Sequence, residues 1–177
     1  MQRVGAVLGS ALFFVIAPCL LAGLVPWSMT SWEFGPAFFG LESTRSVGVL
    51  LILIGLPGLV DSFARFALQG IGTPAPVAPT KHLVVTGLYR HVRNPIFLAV
   101  VSIILGQALL FGDWRLIAYG ALLWFAFHVQ VVAYEEPTLE ETFGREYEAY
   151  RAHVRRWVPR VVPWRTPEAG WRKPAKK

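Results

Sequence analysis

Cysteine and charged residues are both scarce in this chain. Cys19 is its one cysteine, and 16% of its 177 residues are charged, against about 25% in an average soluble domain. A single thiol cannot build a disulfide framework or a cluster of thiolate metal ligands, so we expect no metal site. The low charge argues against a soluble globular protein, and the 54% hydrophobic content argues against a disordered one.

The hydrophobic residues are concentrated in four blocks that are almost free of charge. These blocks are residues 4–25, 46–60, 95–112 and 116–134. A helix that crosses a bilayer needs about 20 apolar residues, with a range of roughly 17–25, and the second block reaches that length if it continues towards Phe66. The first block can alternatively be read as a signal peptide, but it is longer than the apolar part of one and no Ala-x-Ala-like site follows. The sequence predicts an all-α integral membrane bundle of four transmembrane helices.

Basic residues are concentrated on one side of this predicted bundle. With both termini cytoplasmic, every lysine and arginine except Arg45 and Arg115 lies on the inner side. Cytoplasmic connections carry such an excess, so we expect a bacterial-type inner-membrane protein with both termini in the cytoplasm. The basic C-terminal region is also typical of a nucleic-acid patch, but it mixes acidic residues and follows a predicted span. Attraction to anionic headgroups is the favoured interpretation, and no nucleic-acid partner is expected.

The chain after the fourth block has the pattern of an interfacial amphipathic helix. Thr138 and Glu141 match the Thr-x-x-Glu capping box that begins a helix. Apolar residues then recur every three or four positions, which places them on one helical face; they are Leu139, Phe143, Tyr147, Tyr150 and Val154. We expect this helix to lie on the membrane surface or against the other helices.

A first polar cluster precedes the third block. Asn94-Pro95 indicates a helix start, because asparagine is favoured at the N-cap and proline at the first helical position. The free N–H groups of that helix end, with Arg90 and Arg93 beside them, would attract a carboxylate or phosphate. The alternative is that both arginines are ordinary anchors at the inner membrane face.

A second polar cluster, Glu135-Glu136, ends the fourth block after a long stretch without charge. Two carboxylates at the negative end of a helix dipole indicate a cationic partner, either a bound ammonium group or, as a purely structural pair, Arg90 or Arg93. His128 lies seven residues earlier, and an ionisable residue inside a bilayer suggests either a functional site or a histidine bonded to a neighbouring helix. The two clusters together would suit a zwitterionic amino-acid moiety.

These segments resemble a known family. LVVTGLYRHVRNPIF, from Leu83 to Phe97, followed by a helical hairpin and then by EEPTLEETFGREYEAYRAHVRRWVP, from Glu135 to Pro159, is similar to the isoprenylcysteine carboxyl methyltransferase and phospholipid methyltransferase family. Members of that family are integral membrane enzymes that use S-adenosylmethionine. At two positions of the signature, this chain has Asn94 where the family usually has histidine and Phe97 where it usually has tyrosine.

The resemblance implies a set of site residues. Those that would bind S-adenosyl-L-methionine are Lys81, His82, Leu83, Val84, Tyr89, Arg93, Asn94 and Glu136. Among them, Arg93 would hold the methionyl carboxylate and Glu136 the ammonium group. The catalytic candidate is Glu135, which would orient or deprotonate the methyl acceptor.

The apolar blocks and the resemblance together predict an organisation and an acceptor class. Residues 1–68 would hold the first two helices, residues 69–165 the methyltransferase-like region, and residues 166–177 a flexible basic tail. The acceptor would be a lipophilic molecule, such as an isoprenylcysteine carboxylate or a phospholipid amine, entering from the bilayer. Both polar clusters lie at the inner ends of the third and fourth helices, so the remaining walls of its pocket would be apolar helix surface, including Trp124, Phe127 and His128. Two alternatives stay open: an NADPH-dependent sterol-type reductase and a non-catalytic four-helix membrane protein.

Overall fold

The computed structural model describes residues 16–70 and 82–165, and within these ranges every regular element is helical, with no strand. The all-α prediction is therefore confirmed for this part of the chain. Lys81 and the predicted tail at residues 166–177 lie outside the described residues. The helices are α1 (Ile16–Thr30), α2 (Ser43–Arg65), α3 (Pro95–Phe111), α4 (Trp114–Gln130), α5 (Glu136–Phe143) and α6 (Arg145–His153).

Two continuous helices are long and apolar enough to cross a membrane. They are Ser43–Gln69, in which α2 runs on past Arg65, and Trp114–Phe143, in which α4 and α5 are joined. The predicted extension of the second block is confirmed. Helices α1 and α3 are apolar but shorter within the described residues. Two of the four predicted spans thus have candidate helices here, and the four-span arrangement stays a prediction.

The long helices present apolar side chains outwards. Leu50, Leu53 and Ile54 on α2, and Leu122 and Phe125 on α4, are all exposed. A contiguous exposed apolar surface marks contact with a membrane or a partner, and apolar faces of this length suit lipid.

Small residues let α2 and α3 pack closely. A Cβ atom at Gly106 of α3 would lie 2.7 Å from the carbonyl oxygen of Gly48 on α2, and one at Gly55 would lie 2.8 Å from the Ile103 side chain. The Ser102 hydroxyl donates to the carbonyl oxygen of Leu51, at 3.1 Å. Such spacing of small residues is common where membrane helices approach each other, and it makes this pair the centre of the bundle.

The amphipathic pattern after Glu135 is confirmed as a buried face but not as one helix. Gly144, with φ of 50°, separates α5 from α6. The predicted apolar face packs against the segment before α3, in a cluster formed by Leu83, Val85, Leu139, Phe143, Tyr147, Tyr150, Val154 and Trp164. This face is directed inwards, against the rest of the protein.

The predicted capping box is wrong. Thr138 Oγ1 donates to the carbonyl oxygen of Tyr134, at 2.7 Å, and does not cap a helix start. The chain remains helical from α4 into α5 through a π-helical turn, Val131–Glu135. Pro137 follows in the first turn of α5. Proline has no N–H to donate to the preceding turn, and it lies directly after the π turn, where the regular hydrogen-bond ladder is already interrupted.

Candidate functional site

The first polar cluster forms where the chain enters α3. Asn94 occupies the N-cap position and Pro95 the first turn, as predicted. The Asn94 side chain does not cap the helix; its Nδ2 donates to the carbonyl oxygen of Arg156, at 3.2 Å. The backbone N–H of Arg93 donates to the carbonyl oxygen of Arg155, at 3.0 Å. The chain that follows α6 therefore holds the start of α3 in place.

Glu136 forms the centre of an ion-pair cluster. Its carboxylate accepts two hydrogen bonds from Arg156, at 2.6 and 2.8 Å, and its Oε1 lies 3.2 Å from the Arg93 guanidinium. The Arg93 guanidinium also donates to the Tyr147 hydroxyl, at 2.9 Å. The side chains of Arg93 and Glu136 are only 9% and 11% exposed. Of the structural partners considered for the glutamates, the structure selects Arg93 and adds Arg156.

Arg90 has a different role. Its Nε donates to the carbonyl oxygen of Trp164, at 2.6 Å, and the Trp164 backbone N–H donates to the carbonyl oxygen of Arg90, at 2.9 Å. His91 makes a similar pair of contacts with Arg160. These bonds hold the C-terminal segment against the residues that precede α3. They do not direct Arg90 into the site.

Two tyrosine hydroxyls also form hydrogen bonds in this part of the protein. Tyr150 donates to the carbonyl oxygen of Tyr89, at 2.7 Å. Burial raises the pKa of Tyr147 to about 12, so its hydroxyl stays protonated near neutral pH. Because that oxygen accepts from Arg93, its own proton remains free to donate to another acceptor.

Two side chains in the site can form further hydrogen bonds. The Nε of Arg93 is buried and has no hydrogen-bond partner among the described residues. No described side chain forms a hydrogen bond or ion pair with Glu135, although Arg93 and Glu136 are close enough to influence it electrostatically. Because an unpaired buried polar atom is costly, the Nε of Arg93 indicates a binding site at this cleft. Glu135 is half-buried beside it, and its carboxylate is open to a ligand.

A small cavity of about 40 Å³ lies at the polar cluster. Seven of the nine site residues implied by the resemblance line it: Leu83, Val84, Tyr89, Arg93, Asn94, Glu135 and Glu136. His82 is exposed and does not line it. The structure thus brings together residues that are up to 53 positions apart in the sequence.

A second, larger cavity of about 440 Å³ shares part of this wall. Phe66, Tyr89, Arg93, Asn94 and Glu135 line both cavities. The rest of the larger cavity is mostly apolar and is enclosed by α1, α2, α3 and α4; its lining includes Leu21, Phe63, Ile96, Val100 and Phe127. Its volume is in the usual range for small-molecule sites. The larger cavity is therefore apolar over most of its wall and charged at the end that it shares with the small cavity.

Within residues 16–70 and 82–165 there are three π-helical turns, and each of them contributes to the wall of the larger cavity. Leu21 belongs to the turn Leu20–Leu24, Phe66 to the turn Phe66–Gly70, and Tyr134 with Glu135 to the turn Val131–Glu135. Such turns occur frequently at functional sites, since they interrupt the regular hydrogen-bond ladder.

Trp124 and His128, which we expected in the wall of the acceptor pocket, do not line the larger cavity. The two rings stack on each other, and Trp157 Nε1 donates to His128 Nδ1, at 3.0 Å. His128 is thus bonded to the non-helical segment that follows α6 and not to a neighbouring helix, as the second alternative had it. Spacing by seven keeps residues on one face only in an α-helix, and the π turn between His128 and Glu135 breaks that register. Phe127, also expected there, does line the cavity, together with Gln130 and Tyr134.

Other contributors were not identified as site residues from the sequence. Arg156 belongs to the basic C-terminal region, for which attraction to anionic headgroups was the favoured interpretation, and Tyr147 and Tyr150 belong to the predicted apolar face. Ala17, Pro18 and Leu21 of α1 supply one wall of the larger cavity. The sequence did contain one signal for Arg156: the acidic pair Glu135-Glu136 at the end of the fourth apolar block requires cationic partners.

Comparison with known proteins identifies the same region. The family model for phospholipid methyltransferase matches residues 43–146. The chain is 34% identical over 82 residues to the Protein-S-isoprenylcysteine O-methyltransferase of Schizosaccharomyces pombe, an alignment that covers 45% of this chain and 34% of that protein. The match thus spans about a third of the relative's length. No solved structure matches the chain.

The family match contains the two polar clusters, since both fall between residues 43 and 146. It also contains the helices that enclose most of the larger cavity, α2, α3 and α4. The match covers more than half of the chain. The chain belongs to the phospholipid methyltransferase family.

Proposed function

We propose that this protein is an integral membrane methyltransferase that transfers the methyl group of S-adenosyl-L-methionine to a lipophilic acceptor. The observation that carries this proposal is the gathering of seven family-implied residues around one small cavity, directly beside a larger apolar one. A reductase of the sterol type and a non-catalytic membrane protein are disfavoured by the family to which the chain belongs.

The polar residues fit the methionyl end of the cofactor. The unpartnered Nε of Arg93 and the free N–H groups at the start of α3 are donors for a carboxylate. Glu136 already accepts hydrogen bonds from Arg156 and forms an ion pair with Arg93, so its predicted role with the ammonium group would be shared with the task of fixing Arg93. When bound, S-adenosylmethionine supplies an activated sulfonium methyl group.

A role for Glu135 on the acceptor is supported by its position in the wall of both cavities. It has no partner in the described part of the chain, so its carboxylate is available to orient the acceptor or to accept its proton. Methyl transfer otherwise needs chiefly that the two reactants be held in line and kept from water. The buried position of the cluster provides that exclusion.

The larger cavity supports a lipophilic acceptor. A polar molecule would lose hydration against its apolar walls, whereas each buried methylene group of a hydrocarbon chain contributes about 0.8 kcal/mol. An isoprenylcysteine carboxylate, a phospholipid amine or a related molecule would meet this requirement, with entry from the bilayer.

Calorimetric titration in detergent with S-adenosylmethionine, and separately with NADPH, tests the proposal. We expect S-adenosylmethionine alone to bind. The Arg93→Ala variant should bind it about 10- to 150-fold more weakly, since a charge-assisted hydrogen bond contributes about 1.5–3 kcal/mol. Arg151→Ala is the matched control, because Arg151 is in an exposed ion pair with Glu140. Binding of NADPH would favour the reductase, and binding of neither would favour a non-catalytic protein.

We also propose that both termini are cytoplasmic, so that the cofactor reaches the site from the cytoplasm. In a Cys19→Ala background, a cysteine at Ser31 should be labelled from the periplasm and one at Thr166 from the cytoplasm. The support is the location of nearly all basic residues on one side. Labelling of either position from the opposite side would contradict this orientation.

A further inference from the structure

Helix α1 contributes a wall to the larger cavity although it lies outside the family match, which begins at residue 43. Ala17, Pro18 and Leu21 face the cavity from α1, opposite residues of α3 and α4 such as Phe97 and Phe127. The charged end of the cavity, in contrast, is formed entirely by residues within the match. The residues that would carry out the chemistry therefore belong to the family match, whereas the apolar wall supplied by α1 lies outside it.

The position of α1 is fixed by polar contacts inside the bundle. Gln107 of α3 donates from Nε2 to the carbonyl oxygen of Ala22, at 2.7 Å, and the Tyr119 hydroxyl of α4 donates to the carbonyl oxygen of Leu21, at 3.0 Å. Gln107 also accepts from Trp32 Nε1, at 3.2 Å. Buried side-chain bonds of this kind hold a helix at a defined depth, so the α1 residues form a wall of fixed shape.

We propose that α1 is the specificity-determining element for the hydrocarbon chain of the acceptor, with Ala17 and Leu21 setting the length and width that the cavity accepts. This inference rests on the proposed function. Ala17 is small and faces the cavity, so it leaves space that a larger side chain would fill. Leu21 packs against the core cluster of α2, α3 and α4, so shortening it would widen the cavity.

The test uses two substitutions with opposite effects and one control. Ala17→Leu narrows the cavity, Leu21→Ala widens it, and Leu20→Ala changes the neighbouring residue, which is 44% exposed and does not line the cavity. The probes are N-acetyl-S-geranyl-, farnesyl- and geranylgeranyl-cysteine and, in parallel, lysophosphatidylethanolamines of increasing acyl length. Binding and methylation of each series are measured, along with binding of S-adenosylmethionine.

We expect Ala17→Leu to move the preferred chain to a shorter one and Leu21→Ala to a longer one, by about fourfold in affinity for each methylene gained or lost. Leu20→Ala should keep the wild-type profile. Affinity for S-adenosylmethionine should stay within about twofold in all three variants, because α1 does not line the small polar cavity. The head group of the series that binds identifies the source of the chain.

Binding of S-adenosylmethionine together with unchanged chain preference in both Ala17→Leu and Leu21→Ala would overturn the inference while leaving the proposed function intact. Absence of saturable binding for every chain in both series would contradict both the inference and the lipophilic acceptor of the proposed function. Failure of the wild-type protein to bind S-adenosylmethionine would instead contradict the proposed function.

Discussion

Replacing Glu136 by glutamine should lower the free energy of unfolding by about 3–5 kcal/mol. Removing one member of a buried ion pair leaves its partner charged and uncompensated, and here two guanidinium groups, those of Arg93 and Arg156, would lose their shared carboxylate. The loss can be measured as a shift in the denaturation curve of the detergent-solubilised protein. Affinity for S-adenosylmethionine should fall as well, because Arg93 would no longer be fixed.

The control for this substitution lies on the same helix. Glu140 pairs with Arg151 at 2.9 Å, but these side chains are 44% and 41% exposed. Exposed pairs contribute about 0–1 kcal/mol, so Glu140→Gln should change stability little. Equal losses in the two variants would show that burial of the Glu136 cluster is not what stabilises the start of α3.

Replacing the neighbouring Glu135 by glutamine should lower kcat strongly and leave the free energy of unfolding almost unchanged, whereas Glu136→Gln should lower the free energy of unfolding. We expect kcat to fall by about 10²- to 10⁴-fold, the usual range for loss of a group that positions or accepts a proton. Stability should be unchanged or slightly higher, because no described residue pairs with Glu135 and a neutral amide is easier to bury than a carboxylate. The measurements are the rate of methyl transfer at saturating cofactor and the denaturation curve.

A matched substitution separates this effect from a general change of charge at the end of the span. Glu141 is exposed on α5 and does not line either cavity, so Glu141→Gln should leave both kcat and stability close to wild type. A Glu135→Gln variant with wild-type kcat would remove this carboxylate from the proposed mechanism. A variant as unstable as Glu136→Gln would instead show a structural role.

Local sequence patterns predicted the features that depend on neighbouring residues. Asn94-Pro95 marked the start of α3 because those two side chains act within one helical turn. The spacing from Leu139 to Val154 marked the buried face, since side chains three or four positions apart share a face in both α5 and α6. Family resemblance added the residues of the small cavity, which come from distant segments.

The features that were missed depend on long-range geometry or on departures from regular helix. Arg156 bonds to Glu136 across the break that Gly144 makes between α5 and α6, and periodicity does not contain such a break. His128 was aligned with Glu135 on the assumption of α-helical register, which the π turn Val131–Glu135 breaks. The wall supplied by α1 follows from the packing of α1 against α3 and α4. Hydrophobicity alone does not specify which apolar face of one helix packs against which face of another.

Label transfer in membranes tests most directly whether this site carries out methyl transfer. Membranes from cells that produce the wild-type protein, incubated with S-adenosylmethionine labelled in its methyl group, should incorporate label into a solvent-extractable lipophilic product. Membranes with the same amount of folded Glu135→Gln should incorporate no more than those of cells lacking the protein. Label transfer by Glu135→Gln at the wild-type rate, or none by the wild-type protein with either the prenylcysteine or the phospholipid acceptors, would contradict the proposed site.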